Sequence, residues 1–521
     1  YPQNQDYVNL TQEKTVSIRR PNQFFYNYNY SYQGTVLSNK TLPPYYSYDL
    51  YYKQANNPNT VMYSQQDSSE NSISEPWLNY RPNDRYTFPA AYGELKKLKG
   101  IESQQVLGTF ENQSVIFNAV DSYVDGVTES NRDLGTGGIF ARRPRTFNNT
   151  DLGYLGTQSS TILSCEYGHF IVDTSRGQIF RINPNGNQVE EISKYSNGKP
   201  NGMDIWFKEH LPFKILEDFP ELYPYIDNPY NGIGITMGWD SKFKRVFITK
   251  KDYKATEGTI YNEDGTFTKN MTQYTLQEAI QKGVLQDVSW TLSYKTEKGG
   301  WESYMDFKPN YYVGYSDYFQ SGINQTQDST EYGIWSHLLT NRSKQVFYGK
   351  KYPWIIEYPT KNDYVNKKLE SITLWTEAKR YHNEYDYAPD DRITFNKVVV
   401  FSDRENSGNL NLIPNTGLLS QLSKYPITRA NEQDILITQN NKKWTFNHIY
   451  NRVKSNRNNV PLFLYDENQI NKQVNTSAVS FYGKNVLEQM SSEVFLIRLT
   501  QDKTSQYDLE FKFASQKEEI S

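Results

Sequence analysis

Residues 238–249, Gly238-Trp239-Asp240-Ser241-Lys242-Phe243-Lys244-Arg245-Val246-Phe247-Ile248-Thr249, decide the fold class. Aromatic and β-branched residues, which suit a pleated surface, flank a polar turn of Asp, Ser and Lys. Strand, turn and returning strand predict a hairpin over 233–249. The same pattern recurs along the chain. Residues 106–110 and 114–117 flank Glu111-Asn112-Gln113, and residues 162–164 and 170–173 flank Tyr167-Gly168-His169. Ser175-Arg176-Gly177-Gln178 then turns the chain into 179–182. Later come 290–294 with 301–307, 334–339 with 345–347, and 435–438 with 444–449. Hairpins every few tens of residues imply a mainly β fold, most economically a β-propeller-like meander of small antiparallel sheets. Their spacing is irregular, which leaves a sandwich or two β-domains as alternatives.

Composition agrees with strands. Of the 521 residues, 44 are Tyr, 26 Phe and 9 Trp; aromatics make 15% of the chain within a hydrophobic total of 36%. Over two-fifths of the apolar set is therefore aromatic, while Ala and Leu, the strong helix formers, are sparse. That composition argues against a helical bundle or coiled coil. The 56 basic and 59 acidic residues give a net charge of −3, without the basic surplus of a whole-chain nucleic-acid binder. No run of about 18 apolar residues offers a membrane span. A single cysteine, Cys165, rules out an internal disulfide framework and a cysteine-only zinc site. The sequence opens on Tyr1 with no signal-peptide core behind it, and reads as a processed or truncated piece, or one whose start is omitted.

Residues 1–90 differ in texture from the rest. Tyr26, Tyr28 and Tyr30 alternate with Asn, and Tyr45, Tyr46 and Tyr48 follow Pro43-Pro44, with few aliphatics between them. Such a segment lacks a core of its own. It is expected to run as an extended aromatic-rich arm and linker, anchored by those six rings on the β-domain or on a neighbouring subunit. The β-propeller-like domain is expected over 91–521. Apolar positions Phe207, Leu211, Ile215, Leu216 and Phe219 are spaced helically but broken by Pro212 and Pro220, which predicts a short helical insertion near 201–225.

Signals for chemistry are sparse. Cys165 and His169 lie four apart, a spacing that invites a thiol nucleophile. On a hairpin these two need not converge, and the plainer reading is a small buried cysteine and a turn histidine. His169, His210, His337, His382 and His448 form no zinc motif. Asp386, Asp390 and Asp391 offer oxygen ligands for calcium without the spacing of a calcium loop. Gly135-Thr136-Gly137-Gly138 lacks the Gly-Lys-Ser/Thr ending of a phosphate loop. Arg142, Arg143 and Arg145 form a basic patch, read as a solvated loop, a subunit interface or a wall facing DNA in a channel. Glu166, Asp173, Asp204, Asp240, Asp287 and Asp306 are the carboxylates from which a glycosidase pair would be drawn. No catalytic, metal or cofactor site is expected.

Residues 92–100 running into 106–120, residues 156–182, residues 238–253, and residues 290–294 with 301–312 together carry a resemblance. These segments resemble the tail nozzle (stabilisation) proteins of short-tailed bacteriophages, and in particular the muzzle proteins of crAss-like phages, over about residues 90 to 450. The resemblance implies a non-enzymatic virion protein at the distal end of a tail, in six-fold rings around the DNA exit channel. It implies partners in copies of itself, in other tail proteins (ring or adaptor and fibre proteins), and in passing phage DNA bound non-specifically. Such a protein is made in the bacterial host cytoplasm. Wide, rigid aromatic contact area suits permanent assembly. A carbohydrate- or receptor-binding propeller module and a propeller glycosidase are the alternatives.

Overall fold

The structure is a computed structural model. It describes residues 57–64, 84–101, 104–119, 122–124, 131–133, 138–140, 142–147, 155–159, 161–186, 188–230, 232–324, 329–338, 345–361, 364–381, 387–390, 392–414, 434–447, 449–451, 489–502 and 507–520. The fold is mainly β, built from many small antiparallel sheets. The chain divides into two compact units, Tyr1–His337 and Leu338–Ser521. The second unit gathers its own core.

In the first unit, four sheets follow one another in chain order. The first orders Leu95–Ile101, Gln105–Phe110, Ser114–Asn118 and Arg145–Thr146. The second orders Leu163–Cys165, Gly168–Asp173, Gln178–Ile182 and Val189–Glu191. The third orders Gly234–Asp240, Arg245–Lys251, Trp290–Lys295 and Gly300–Met305. The fourth has three strands, Tyr311–Gly314, Phe319–Ile323 and Gly333–Ser336.

Strand alternation lets each inner sheet pack on both faces. Ile171, Phe180 and Ile182 of the second sheet bury against Leu107 and Ile116 of the first. Phe170, Val172 and Ile179, on the other face, join Val246, Ile248 and Leu292 of the third. Phe247 points the opposite way, 5.2 Å from Phe319 and 5.5 Å from Phe307. Gly238 leaves room there for the Tyr312 ring, which any Cβ at 238 would overlap. The Tyr312 hydroxyl lies 2.7 Å from Thr249 Oγ1, which lies 2.8 Å from Thr291 Oγ1.

The helical insertion forms as the proline spacing predicts. Helix α1, Asp204–His210, and helix α2, Ile215–Asp218, are separated at Pro212, and a 3-10 turn Pro220–Tyr225 follows. Phe207, Leu211 and Ile215 enter the core between the second and third sheets. A further helix, α3, Leu276–Gln281, opens on a capping box in which Thr275 and Glu278 satisfy each other's backbone N–H.

Two expectations are corrected. The turn placed at 167–169 is Glu166-Tyr167, so His169 lies inside a strand. Residues 334–339 and 345–347 do not form a hairpin: Gly333–Ser336 pairs with Phe319–Ile323, and Val346–Phe347 pairs with Lys350–Lys351. Within the described part of residues 1–90, Thr60–Met62 pairs with Arg85–Thr87, and Val61 and Phe88 bury with Phe110, Val115 and Phe117 of the first sheet.

The second unit is built on a ten-stranded sheet, beside the short ladder of Val346–Phe347 with Lys350–Lys351, and has its own apolar core, which includes Leu374, Val398, Val400, Ile435, Trp444, Ile497 and Leu499. Leu410–Pro414 and Asp434–Asn440 pair in parallel, unlike the other ladders among the described residues. Lys367–Tyr381 and Tyr507–Ile520 form a long antiparallel ribbon with bulges at 369/371 and 375/376.

The founding hairpin is locked by Asp240, which is fully buried. Its Oδ1 accepts from the N–H groups of Lys242 and Phe243 at 3.1 Å, and its Oδ2 from Arg245 Nε at 2.8 Å. Asp240→Ala should destabilise the first unit by about 3 kcal/mol, since it orphans two donors and a half-buried guanidinium. Asp240→Asn, which keeps an acceptor in the turn, should cost clearly less. Urea midpoints of the two variants check this ordering.

Candidate functional site

Alternation along a strand settles the cysteine. Cys165 stands opposite Gly168 while Ser164 stands opposite His169, so the thiol and the imidazole leave opposite faces of the sheet. Pro184 O, 3.3 Å from His169 Nε2, takes that proton, leaving Nδ1 to accept from the Ser164 hydroxyl at 2.8 Å. Burial pushes the Cys165 thiol up, against what a nucleophile needs.

Most of the candidate carboxylates are held in ion pairs. Asp173 holds Arg176 at 2.9 Å, Glu166 pairs with Lys244 at 2.6 Å, Asp204 with Lys208 at 2.9 Å, and Asp287 with Lys308 at 3.4 Å. Asp306 is exposed at a strand end. Asp390 is buried and takes Arg380 at 3.3 Å and Arg392 at 3.4 Å, while Asp386 and Asp391 lie outside the described residues. Among the described residues no group of three or more His, Cys, Asp or Glu could hold a metal ion. His382 and His448 are outside them.

The basic patch is at the surface. Arg142, Arg143 and Arg145 are exposed. Arg145 sits in the outer strand of the first sheet and donates to the Gly186 carbonyl at 3.2 Å. Arg142 and Arg143 make no ion pair among the described residues. Residues 135–137 and the six arm anchors, Tyr26, Tyr28, Tyr30, Tyr45, Tyr46 and Tyr48, lie outside the described residues.

The surface that sequence reasoning missed is the outer face of the fourth sheet. Register puts Tyr311, Gly322 and Ile334 in one line across it, and Val313, Gln320 and Ser336 in the next. Gly322 allows the Tyr311 ring to lie flat over the middle strand, where a Cβ would overlap it. Tyr230 lies 5.9 Å from Tyr311 and is 58% exposed, with Val313 at 41% and Ile334 at 65%. The loop bearing Tyr230 is pinned: Asn310 Nδ2 donates to the Pro229 carbonyl at 2.7 Å and Asn324 Nδ2 to that of Tyr230 at 2.6 Å. At the margin the Tyr315 hydroxyl donates to Gln320 Oε1 at 3.3 Å, and Gln320 Nε2 to Ser336 Oγ at 3.1 Å. The two register lines carry no charge. Such a face can bury rigid aromatic area against a partner. The sequence signal was Gly322, whose role depends on a ring eleven residues upstream.

No protein-family model matches this chain, and no curated protein matches it.

Behind that face, the His337 ring stacks on Phe319 at 4.4 Å, with its Nε2 2.6 Å from Ser321 Oγ. Burial pushes its pKa down to about 4, with Asp240 pulling up and Arg245 pushing down. An unfolded histidine binds its proton near pH 6.5, so between 6.5 and 4 the unfolded chain carries a proton that the folded chain refuses. The resulting stability is full above pH 6.5 and falls as the pH drops through that window. Wild type should therefore lose on the order of 2–3 kcal/mol relative to His337→Gln between pH 7 and pH 4. Denaturant midpoints of both proteins across that range check it.

Proposed function

We propose that this chain is a non-enzymatic structural subunit of a bacteriophage tail, part of the muzzle or nozzle ring that closes the DNA exit channel. The uncharged aromatic face built on Tyr230, Tyr311, Val313 and Ile334 carries this reading. A subunit in permanent assembly needs broad rigid contact area and little chemistry, and interface centres are depleted of charge and enriched in aromatics. The segments that carry the phage resemblance also pack together: residue 238 seats Tyr312, whose hydroxyl meets Thr249. Four sheets stacked face to face in chain order are what successive propeller blades require, and closure into a propeller belongs to the same proposal. The partners are copies of the chain in a ring, neighbouring adaptor and fibre proteins, and passing DNA held non-specifically; the place is the distal tail of the virion. No helix among the described residues is long and apolar enough to cross a membrane.

One observation favours a second reading, a carbohydrate- or receptor-binding module. Tyr315 and Tyr318 stack at 4.6 Å beside Gln320 and Ser336, rings next to hydroxyl and amide groups. Electron microscopy of the purified full chain decides between them. Closed rings, broken by Val313→Lys with Ile334→Lys while the thermal midpoint holds, are expected. A monomer at every concentration that binds glycans and loses them on Tyr315→Ala would replace the tail reading by the second.

A further inference from the structure

Gly333–Ser336 is the outer strand of the fourth sheet: it pairs with Phe319–Ile323, and no strand lies beyond it among the described residues. None of its four residues is buried, and Ile334 is 65% exposed. Its two inward positions are Gly333 and Trp335, in register with Ile323 and Ser321, and Trp335 is itself only half-buried. An edge strand with so little apolar burial depends on what holds its ends. At the front, the Tyr332 hydroxyl accepts from Gln281 Nε2 of α3. At the back, the His337 ring turns into the sheet. It stacks on Phe319 at 4.4 Å and lies 5.0 Å from Phe307, and both phenyl rings are buried. Its Nε2 meets the hydroxyl of fully buried Ser321 at 2.6 Å, and its backbone N–H donates to the Phe319 carbonyl at 2.9 Å. The first compact unit ends at this residue.

The fastening at the back is thus an ionisable ring, seated between two phenyl rings where a charged form would be stripped of water. Neither Phe319–Ile323 nor Gly333–Ser336 carries a charged residue. From the third sheet, Asp240 and Arg245 act on the ring in opposite senses, and they are bonded to each other at 2.8 Å. The segment bearing Phe307 brings Asp306, which is exposed, and Lys308, which pairs with Asp287 at 3.4 Å. Glu331, which is buried, precedes the strand.

We infer that acid releases this strand: protonation of His337 frees its back end, and Gly333–Ser336 peels from Phe319–Ile323 as a local unit while the third sheet keeps its pairing. The released ring binds a proton more readily than the seated one, so lower pH favours release. Burial holds the seated ring to a pKa of about 4, against about 6.5 for a ring in water, which makes opening about twentyfold more frequent at pH 5 than at pH 7. Ile334 and Ser336 leave the outer face with the strand, so contact made there is lost in the opened form. That consequence rests on the reading of the face as a docking surface, and the release itself does not.

Hydrogen exchange on the full chain, read by mass spectrometry with each rate divided by the intrinsic rate at its pH, tests the release. At pH 7 the amides of residues 334–337 should be at least about a hundredfold less protected than those of Arg245–Lys251 and Trp290–Lys295. Low urea should leave them unchanged, as an opening that exposes little surface requires. From pH 7 to pH 5 their protection should fall about twentyfold. His337→Gln should abolish that fall, and if this variant does not fold the wild-type values decide alone. Equal protection and equal urea dependence in this strand and the third sheet would mean that it opens only with the whole unit, which overturns the proposal. Protection at 334–337 that ignores pH overturns it as well. A fall that persists in His337→Gln would belong to Asp306 or Glu331 and overturn the role of the ring. None of these readouts needs assembly, so the tail reading stands or falls apart from them.

Discussion

A carboxylate shut away from water must be given donors, and three aspartates at strand ends impose that requirement on the first unit. Asp173, Asp240 and Asp252 are all fully buried. Each meets the need in one way: backbone N–H groups of the adjoining turn or helix, plus one cation close in sequence. Asp173 takes the N–H and guanidinium of Arg176, and Asp240 takes two turn N–H groups and Arg245. Asp252 accepts from the N–H groups of Lys214, Ile215 and Tyr253, and from Lys250 Nζ at 2.6 Å. That last pair carries the widest consequence. Lys250 Nζ also donates to the carbonyls of His210 and Pro212, so one buried ion pair ties the end of the third sheet to both α1 and α2. Burial pulls the Lys250 ammonium below its ordinary range while Asp252 pulls the other way. Removing either partner would strand the other in a dry site. The turn and the insertion thus hold the donors and cations that these buried carboxylates require.

This constraint explains how much was legible beforehand. Strand–turn–strand patterns at 106–117, 233–249, 290–307 and 435–449 read correctly because both the strand formers and the turn residues are local. The turn at Cys165 slipped because Gly168, with φ of 128°, begins the returning strand rather than ending the turn. Long-range pairings stayed hidden. Lys367–Tyr381 joins a strand that begins at Tyr507, and the partner's Glu510, Lys512, Lys517, Glu518 and Glu519 read as a polar segment. Its stability comes from position beside a core strand, not from its own composition. The division at His337 was equally invisible, since sequence does not say which apolar strands share a core.

The candidate surface shows the same limit in a sharper form. Tyr311 and Tyr312 are adjacent and chemically identical, yet one ring lies on an outer face and the other packs inward against Phe247 and Thr249. Strand alternation assigns them to opposite faces. Which face meets water depends on Gly238 and Gly322, in two other strands, each leaving space that a Cβ would fill. Aromatic composition thus announced contact area without locating it.

Charge arrangement then limits what an assembly of such chains can look like. Near-neutral net charge removes whole-molecule repulsion, so association is governed by local patches. Most exposed ion pairs here, such as Lys208 with Asp204 or Lys517 with Glu370, lie within one element or between adjacent strands, and contribute little beyond solubility. The face around Tyr230, Tyr311, Val313 and Ile334 differs in kind: its two register lines carry no charge. Its geometry is set by Gly322, which makes room for the Tyr311 ring, and by Asn310 and Asn324, which hold the carbonyls of Pro229 and Tyr230. Apolar area held this way loses little side-chain freedom on contact, whereas the exposed ion pairs elsewhere would have to give up water.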